Sequence, residues 1–449
     1  MKILNKKEPL LLLVGDIVIF ALALWLTLFL RYGELPAHKV LVQHFVPFAY
    51  IFALWAVVFF IAGLYDNHTV ILRSRLPNIL FRTQVANSML AVFFFYLIPY
   101  FRITPKVNIL LDLAISFGLL VLWRVHGFGL FGARRKQNAI LIGSGAEMTE
   151  LRNEVNNNPR YNIRFISSVD TDKLAGIDFQ QEILERIYRE EVSLVAVDLQ
   201  NERIEPILPH LYNLIFSKIR FIGMHKVYED IFKRVPLSII KYSWFLENIS
   251  LSPKVTYDAL KRLMDVTLSL ALGAVSLVVY PFVFLAVKLD DGGKIFITQE
   301  RVGENNHIVR LLKFRTMERN DKGEWEKGVP NKVTRVGAFL RRTRIDELPQ
   351  LWNVVRGDLS LIGPRPEFPE PVKKYEAQVP YYNVRHLIKP GLSGWAQIYH
   401  EKHPHHTVDI VETKNKLSYD LYYLKNRSFF LDLKIALRTL KTLLSRSGV

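Results

Sequence analysis

Four long apolar stretches dominate the first third of the chain. They cover about residues 10 to 30, 45 to 64, 84 to 101 and 107 to 123, and each is near the length that crosses a hydrocarbon core of about 30 Å. The pattern predicts a bundle of four transmembrane helices within residues 1 to 130. The first stretch is too long for a cleavable signal peptide and lacks a small-residue cleavage site before Arg31, so we expect it to stay as an anchor.

Two acidic residues, Asp16 and Asp112, lie within these apolar stretches. An acid inside a membrane span is a candidate functional residue by default. Neither has a basic partner in its own stretch, and no motif surrounds either one. We therefore favour a contact between helices, or a position near the membrane surface, over a functional site.

The pattern changes between residues 137 and 250 to alternating strands and helices. Segments such as "NAILIGSG" and "VSLVAVDL" are typical of buried strands, and "AEMTELRNEVNNNP" is typical of a helix. This alternation predicts a small Rossmann-like α/β domain. Its glycine turn, Gly143-Ser144-Gly145, is followed by Met148 where a dinucleotide site needs a third glycine or alanine, so we expect a non-catalytic domain.

A fifth apolar segment, about residues 263 to 287, is also long enough to span a membrane. Pro281 removes a helix hydrogen bond and clashes with the preceding turn, so it predicts a kink or break. Lys261 and Arg262 precede the segment and Lys288 follows it, which favours a re-entrant helix over a spanning one. We expect Asp265 to pair with Lys261 and Arg262 at the start of this helix.

The amount and distribution of charge predict a class of partner and the orientation of the helix bundle. The formal net charge of +17 favours anionic partners. Basic residues cluster before the first apolar stretch, between the second and third and after the fourth, which places both ends of the bundle in the cytoplasm. The chain has no cysteine, which excludes disulfides, thiolate nucleophiles and cysteine-ligated metals.

Candidate chemistry is concentrated between residues 294 and 367. A β-rich stretch, "KIFITQERVGENNHIVRLLKFRTM", carries Arg301, Lys313 and Arg315, and strand alternation would place several of its cations on one face. A cationic face near a membrane suits either a phosphate-bearing ligand or the lipid surface.

Adjacent acids follow in "RRTRIDELPQLWNVVRGDLSLIGPRPE", namely Asp346 and Glu347. Two carboxylates near bound phosphates suit Mg²⁺, which takes one or two of them and fills its other positions with water and phosphate oxygens. One carboxylate could instead be a nucleophile that attacks phosphorus. A third interpretation, on these residues alone, is an exposed acidic pair matched with arginines on a solvated helix.

A family resemblance rests on five motifs that occur in order: "KRLMD", "QERVG", "KFRTM", "RRTRIDELPQLWNVVRGDLSLIGPRPE" and "IKPGLSGWAQI". The region from about 257 to 445 resembles the bacterial sugar transferase family, the monotopic polyprenyl-phosphate hexose-1-phosphate transferases. The preceding helices and α/β domain resemble the long-form members that initiate exopolysaccharide, capsule or O-antigen assembly. The resemblance implies an α+β catalytic domain over residues 255 to 449, with a re-entrant helix and amphipathic interfacial helices.

The resemblance also implies an activity and roles for individual residues. Asp346 would attack the β-phosphate of a UDP-hexose, release UMP and pass the phosphosugar to undecaprenyl phosphate in a ping-pong route. Glu347 would help to hold Mg²⁺, and phosphate or nucleotide would meet four cations: Lys313, Arg315, Arg341 and Arg365. Lys261, Arg262, Asp265 and Pro281 would shape the re-entrant helix, although small members have serine where this chain has Tyr280.

The same resemblance implies the inner membrane, with the catalytic domain on its cytoplasmic face, and makes galactose and glucose the leading hexoses. Membrane lipids are further partners, a homodimer is compatible with the extra domains, and no nucleic acid is expected. Two alternatives stay open: a glycosyltransferase that releases UDP, and a non-catalytic membrane scaffold.

Three further features have simpler interpretations beside a functional one. Asp358 is a second candidate acid for substrate binding, although a turn or helix cap is the favoured explanation for it. The histidines of "HEKHPHHTVD" superficially resemble a metal site, but Pro404 and the lack of an acidic ligand pattern favour a loop near the membrane. The segment 417 to 444 has apolar residues at helical spacing, which predicts amphipathic helices on the membrane surface.

Overall fold

The computed structural model describes ten segments of the chain: residues 7–65, 76–98, 106–124, 136–158, 161–172, 185–217, 219–249, 254–318, 332–399 and 409–444. The chain divides into two compact units, Met1–Ile231 and Phe232–Val449. The finer division into a bundle, an α/β domain and a catalytic domain remains a prediction.

Four apolar helices begin the first unit: α1 (Lys7–Tyr32), α2 (His38–Ile61), α3 (Leu76–Leu97) and α4 (Lys106–Leu122). Within the described residues, the first three are long and apolar enough to cross a membrane. The fourth forms where the sequence predicts it, but its apolar part, Leu110–Leu122, is shorter than the length of a full span. The described bundle therefore has three helices of spanning length and one shorter apolar helix.

Aromatic side chains fill the centre of this bundle. Phe20 of α1 lies 5.1 Å from the Trp55 ring and 5.4 Å from the Phe59 ring of α2, in the edge-on arrangement that aromatic pairs prefer. Trp55 also donates its indole N–H to the Asn87 carbonyl of α3 at 2.9 Å. Aromatic packing and this hydrogen bond together join three helices.

Asp16 has a partner that lies far away in the sequence. Its buried carboxylate pairs with Arg124, just beyond α4, and Arg124 also donates to the Leu64 carbonyl at 2.7 Å. A charge buried in an apolar bundle needs such compensation. The contact between helices favoured from the sequence is therefore present at Asp16, with a partner outside its own stretch.

The α/β part contains a four-stranded sheet. Its strands are β1 (Gln137–Gly143), β2 (Ile163–Asp170), β3 (Leu194–Val197) and β4 (Arg220–Gly223), in the order β2-β1-β3-β4. Neighbouring strands are parallel throughout. The helices are α5 (Gly145–Asn157), α6 (Glu185–Arg189), α7 (Leu208–Asn213) and α8 (Met224–Phe232), with 3₁₀ turns at Glu202–Ile207 and Leu214–Ser217.

The sheet confirms the predicted alternation of strands and helices in its coarse form. Ile140, Leu141 and Ile142 of β1 are fully buried, as continuous apolar strands of a parallel sheet are. Met148, the residue that argues against a dinucleotide site, is buried in α5.

The second unit contains nine helices within its described residues: α9 (Tyr242–Asn248), α10 (Val255–Ser276), α11 (Tyr280–Asp290), α12 (Arg335–Thr343), α13 (Leu351–Arg356), α14 (Pro369–Gln378), α15 (Trp395–Tyr399), α16 (Ile410–Asn426) and α17 (Phe429–Leu444). Short 3₁₀ helices lie at Glu304–Asn306, Ile345–Gln350 and Tyr382–Leu387. Two antiparallel strands, β5 (Phe296–Val302) and β6 (Ile308–Phe314), form a hairpin, and β7 (Ser360–Ile362) pairs in parallel with β8 (Gly391–Ser393).

The fifth apolar segment forms a bent pair of helices. α10 and α11 meet at an angle of 57°, and Pro281 lies in the first turn of α11, where a proline lacking its N–H is tolerated. Tyr280 packs its ring 4.9 Å from Phe314 of β6. The break therefore lies next to Pro281, as the sequence predicts, and Tyr280 fixes it against the hairpin.

Candidate active site

The acid pair occupies a 3₁₀ helix that follows a sharp reversal of the chain. α12 ends at Thr343, and Arg344 takes a left-handed conformation with φ of 58°. Such a conformation is unfavourable for a residue with a side chain, and residues held this way cluster at functional sites. The reversal starts the 3₁₀ helix Ile345–Gln350, whose first turn carries Asp346 and Glu347.

Glu347 is surrounded by three cations. Its Oε1 lies 2.8 Å from the Arg365 guanidinium, 3.5 Å from Lys313 Nζ and 3.6 Å from the Arg344 guanidinium. These cations come from three different parts of the unit. Glu347 therefore acts as the common counter-ion that lets like charges lie close together.

Asp346 has a different environment, although it is the adjacent residue. It is 7% exposed, and its Oδ1 is buried without a hydrogen-bond partner among the described residues. A buried oxygen of this kind is costly unless a ligand or ion completes it. Cations therefore neutralise Glu347, whereas Asp346 keeps a carboxylate oxygen without a hydrogen-bond partner among the described residues.

The pKa values of the two carboxyls are displaced in opposite directions. Burial and the charge of Glu347 raise the pKa of Asp346 to about 6, although Lys313, Arg344 and Arg341 oppose the rise. Burial would also raise the pKa of Glu347, but Arg365, Lys313 and Arg344 hold it well below its usual range. Carboxyls displaced in this way have separate roles in many active sites.

A cavity next to the pair is lined by both polar and apolar side chains. Its charged and polar residues are Arg301, Lys313, Glu347, Gln350 and Arg365, and Leu311, Leu392 and Pro366 provide apolar walls. Arg301 of β5 and Lys313 of β6 reach it from one face of the hairpin, as strand alternation predicts. Asp346 does not line this cavity, but its charge acts on the pKa of both Lys313 and Arg365.

Arg365 is held in place by close backbone packing and by a second arginine. A Cβ atom on Gly363 would lie 2.6 Å from the Lys389 carbonyl, so only glycine allows the two chain segments to approach so closely. Arg385 donates to the Arg365 carbonyl at 3.0 Å, and its own guanidinium lies 2.8 Å from the buried Asp420 carboxylate. The loop that carries Arg365 is therefore fixed from both sides.

Three of the predicted site residues have contacts elsewhere and do not line the cavity. Arg341 donates to the Thr316 hydroxyl at 2.8 Å, and Arg315 pairs with Asp291 beyond α11. Asp358 accepts from the Asn353 amide at 3.1 Å in the turn that follows Gly357. The described contacts of Asp358 match its interpretation as a turn residue, and a substrate role for all three remains a prediction.

The residues predicted to shape the re-entrant helix make contacts other than the expected ones. Lys261 pairs at 3.0 Å with Asp432 of α17, and Arg262 donates to the Val354 and Val355 carbonyls. Asp265 accepts from the Leu361 amide at 3.0 Å. The expectation that Asp265 pairs with Lys261 and Arg262 was wrong, because residues distant in sequence provide both the acid and the acceptors.

The donor set near the acid pair fits a magnesium ion. Asp346 offers an unpartnered carboxylate oxygen, and Glu347 provides a second carboxylate. Within the described residues there is no group of three or more His, Asp or Glu side chains arranged to bind a metal. Mg²⁺ can be held by one or two carboxylates when water and phosphate oxygens supply its remaining ligands.

The sequence analysis placed Arg301 on the cationic face but did not name it as a site residue, and it named neither Gln350 nor Arg385. No signal separated Gln350 from the rest of its motif. The histidines at 400, 403, 405 and 406 lie outside the described residues.

Comparisons with known proteins bear on the region that contains this site. Residues 256–446 match the model of the family described as bacterial sugar transferase. A UDP-N-acetylgalactosamine-undecaprenyl-phosphate N-acetylgalactosaminephosphotransferase from Aeromonas hydrophila is 38% identical over 206 residues, which is 44% of this chain and 47% of that protein. The chain thus spans about half the length of that relative.

Two further relatives extend the comparison. A UDP-glucose:undecaprenyl-phosphate glucose-1-phosphate transferase from Caulobacter vibrioides is 38% identical over 197 residues, covering 43% of this chain and 73% of that protein. A UDP-galactose-lipid carrier transferase from Erwinia amylovora is 28% identical over 357 residues, covering 70% and 69%. With the family match over the second unit and the apolar helices before it, the chain belongs to the bacterial sugar transferase family, as a long-form member.

Proposed function

We propose that the protein transfers a hexose 1-phosphate from a UDP-hexose to undecaprenyl phosphate, releasing UMP, as the first membrane step of a surface polysaccharide. The observation that carries the proposal is the difference between the environments of the two acids. Asp346 has a free, buried oxygen and a pKa near 6, so it is ionised and available at neutral pH. Glu347 keeps three cations together where phosphates would bind.

In this proposal the reaction proceeds in two displacements. In the first, an Asp346 carboxylate oxygen forms a bond to the β-phosphorus, and the bond from that phosphorus to the bridging oxygen breaks. The electron pair leaves on UMP, whose developing charge Arg365 and Lys313 stabilise. In the second, an oxygen of the lipid phosphate attacks the same phosphorus, and the Asp346 carboxylate leaves.

Glu347 would help to hold Mg²⁺ beside Asp346, and the bound ion would supply neutralisation of phosphate charge. The relatives are named for glucose, galactose and N-acetylgalactosamine donors, so a panel of UDP-glucose, UDP-galactose and UDP-N-acetylgalactosamine identifies the sugar.

The nucleotide product tests the reaction directly. Purified protein incubated with undecaprenyl phosphate and a uridine-labelled member of that panel is expected to release UMP, because Asp346 attacks the phosphorus attached to the sugar. Chromatography separates UMP from UDP. Release of UDP would support the alternative, a glycosyltransferase, and absence of any turnover with all three donors would support a scaffold.

The acid limb of the pH profile tests the role of Asp346. Only the carboxylate attacks phosphorus, and the raised pKa means that the acid form appears as pH falls through about 6. We expect kcat/KM for the UDP-hexose to be level above that value and to fall about tenfold per pH unit below it. A limb near pH 4, the usual range for aspartate, would contradict a buried nucleophile.

We further propose that α10 and α11 form a re-entrant helix and that the catalytic unit stays on the cytoplasmic face, below four membrane spans. Both flanks of the apolar segment contact other parts of the second unit. Lys261 pairs with Asp432, and the Asp290 carboxylate accepts from the Val336 amide at 3.0 Å. A spanning helix would separate its flanks by a membrane of about 30 Å. Contacts at both ends therefore support re-entry.

Cysteine labelling tests this topology in a chain that has no cysteine of its own. Val255→Cys lies at the start of α10, before the apolar segment, and Lys294→Cys lies after α11; both positions are exposed. We expect a membrane-impermeant maleimide to label both from the cytoplasmic side of inverted vesicles. Labelling of Lys294→Cys from the opposite side alone would establish a span.

A further inference from the structure

Arg301 is a partly buried cation whose direct partners are all neutral. Its guanidinium donates to the Pro366 carbonyl at 3.3 Å and to the Gln299 amide oxygen at 3.0 Å, and it lies 3.3 Å from the centre of the Phe368 ring. All three partners are neutral, and among the described residues it forms no ion pair within 4 Å. Its Nε has no hydrogen-bond partner among them either.

This arrangement differs from that of the neighbouring cations. Lys313 and Arg365 line the same cavity, and both contact Glu347. A buried arginine in a protein core normally finds a carboxylate, since an uncompensated buried charge is strongly destabilising. Burial lowers the pKa of Arg301 to about 10, which still leaves it charged at neutral pH. Glu367 and Glu347 oppose this fall in pKa, but neither forms an ion pair with Arg301 within 4 Å. Arg301 therefore has no anion in direct contact among the described residues.

Gln350 supplies a second unsatisfied group in the same cavity. It ends the 3₁₀ helix that begins with the acid pair, and it is 3% exposed. Its Nε2 is buried without a hydrogen-bond partner among the described residues. Buried amides are almost always hydrogen-bonded, so an exception that faces a cavity beside a buried cation indicates a site for a ligand.

The charges of the cavity specify the chemistry of that ligand. Its lining carries three cations, Arg301, Lys313 and Arg365, against one carboxylate, Glu347. The excess is positive, and the unsatisfied groups at Arg301 and Gln350 are both N–H donors. Donors around an uncompensated cation match the non-bridging oxygens of a phosphate.

We propose that Arg301 and Gln350 form a phosphate subsite, separate from the cations that Glu347 neutralises, in which both side chains donate to phosphate oxygens of a substrate. The proposal rests on the proposed function for the source of the anion: either the diphosphate of the UDP-hexose or the phosphate of the lipid acceptor. The subsite would hold one of these phosphates while the acid pair acts on the sugar-bearing phosphorus.

Kinetics of full-length variants test the subsite and distinguish the two possible sources of its phosphate. In a ping-pong reaction, kcat/KM for each substrate is independent of the other substrate. We expect Arg301→Met and Gln350→Met to lower kcat/KM about 30-fold and about 10-fold for the substrate whose phosphate they hold, and to leave the other value unchanged. A loss for UDP-hexose assigns the subsite to the donor, and a loss for undecaprenyl phosphate assigns it to the acceptor.

Matched controls separate this effect from general damage. Arg310→Met removes an exposed arginine of the same hairpin that already pairs with Glu300, and Gln378→Met removes an exposed glutamine at the end of α14. Both are expected to match the unmodified protein. Arg301→Lys keeps the charge but not the Nε donor, so it should restore only part of the loss.

Equilibrium binding tests the subsite independently of the proposed reaction. In the Asp346→Asn background, which cannot turn over, UDP and undecaprenyl phosphate serve as probes in calorimetry, and one of them should bind about tenfold more weakly when Gln350→Met is added. That loss supports the subsite even if the released nucleotide proves to be UDP. Unchanged binding and unchanged kinetics in Gln350→Met would overturn the subsite even if UMP is released. Gln350→Met also provides the decisive test if Arg301→Met fails to fold.

Discussion

Asp346→Asn is expected to abolish UMP release, with a fall in kcat of at least about 10³-fold. The amide has nearly the shape of the carboxyl, but it cannot act as a nucleophile towards phosphorus. The buried Oδ1 has no partner among the described residues, so the loss of charge breaks no recorded hydrogen bond. The measurement is single-turnover release of labelled UMP, together with mass spectrometry for a phosphosugar on Asp346 in the unmodified protein.

The control for this variant is Asp258→Asn, in the first turn of α10, where the side chain is exposed. It should retain full activity. Asp346→Asn should unfold at the same temperature as the unmodified protein or slightly above it, since burial disfavours the charged form of Asp346. A folded Asp346→Asn variant that still releases UMP at a normal rate would exclude the covalent route.

Glu347→Gln should have the second-largest effect, on both stability and catalysis. Removal of the shared carboxylate leaves Arg365, Lys313 and Arg344 close together without this counter-ion. Because the Arg365 side chain is 34% exposed, water screens the ion pair, and its loss costs on the order of 1 kcal/mol. We expect a lower unfolding temperature and a fall in kcat/KM of at least about 100-fold, because the cations move apart and lose their alignment on phosphate.

The residual activity of Glu347→Gln should also have a changed pH dependence. The charge of Glu347 helps to raise the pKa of Asp346, so its removal should shift the acid limb of the pH profile to lower pH. Glu376→Gln, an exposed change in α14, serves as the control in both measurements. A variant with normal stability and an unshifted limb would show that the two carboxyls do not act on each other.

Apolar length and periodicity predicted the larger elements because each depends on local sequence. The bundle helices form where apolar stretches occur, and the break between α10 and α11 lies beside Pro281. The fourth stretch was predicted at about residues 107 to 123, and α4 forms at Lys106–Leu122. The sequence also located Asp346 and Glu347, through the motif that contains them.

The orientation of the acid pair could not be predicted from the sequence. It depends on the left-handed backbone of Arg344, a conformation that no rule assigns to arginine, and on Arg365 and Lys313, which lie 18 and 34 positions from Glu347. The partner of Lys261 is further away still, at Asp432. Such contacts are set by tertiary packing, and a local pattern contains no information about them.

The pairing of Lys261 with Asp432 has a consequence for synthesis of the chain. Translation proceeds from the N-terminus, so α10 is complete long before α17 exists. Lys261, Arg262 and Asp265 can all make contacts once residues 354 to 362 have emerged, but the ion pair of Lys261 waits for α17. The contacts of α10 are therefore completed by a residue 171 positions after Lys261, and a chain that stops short of Asp432 lacks that ion pair.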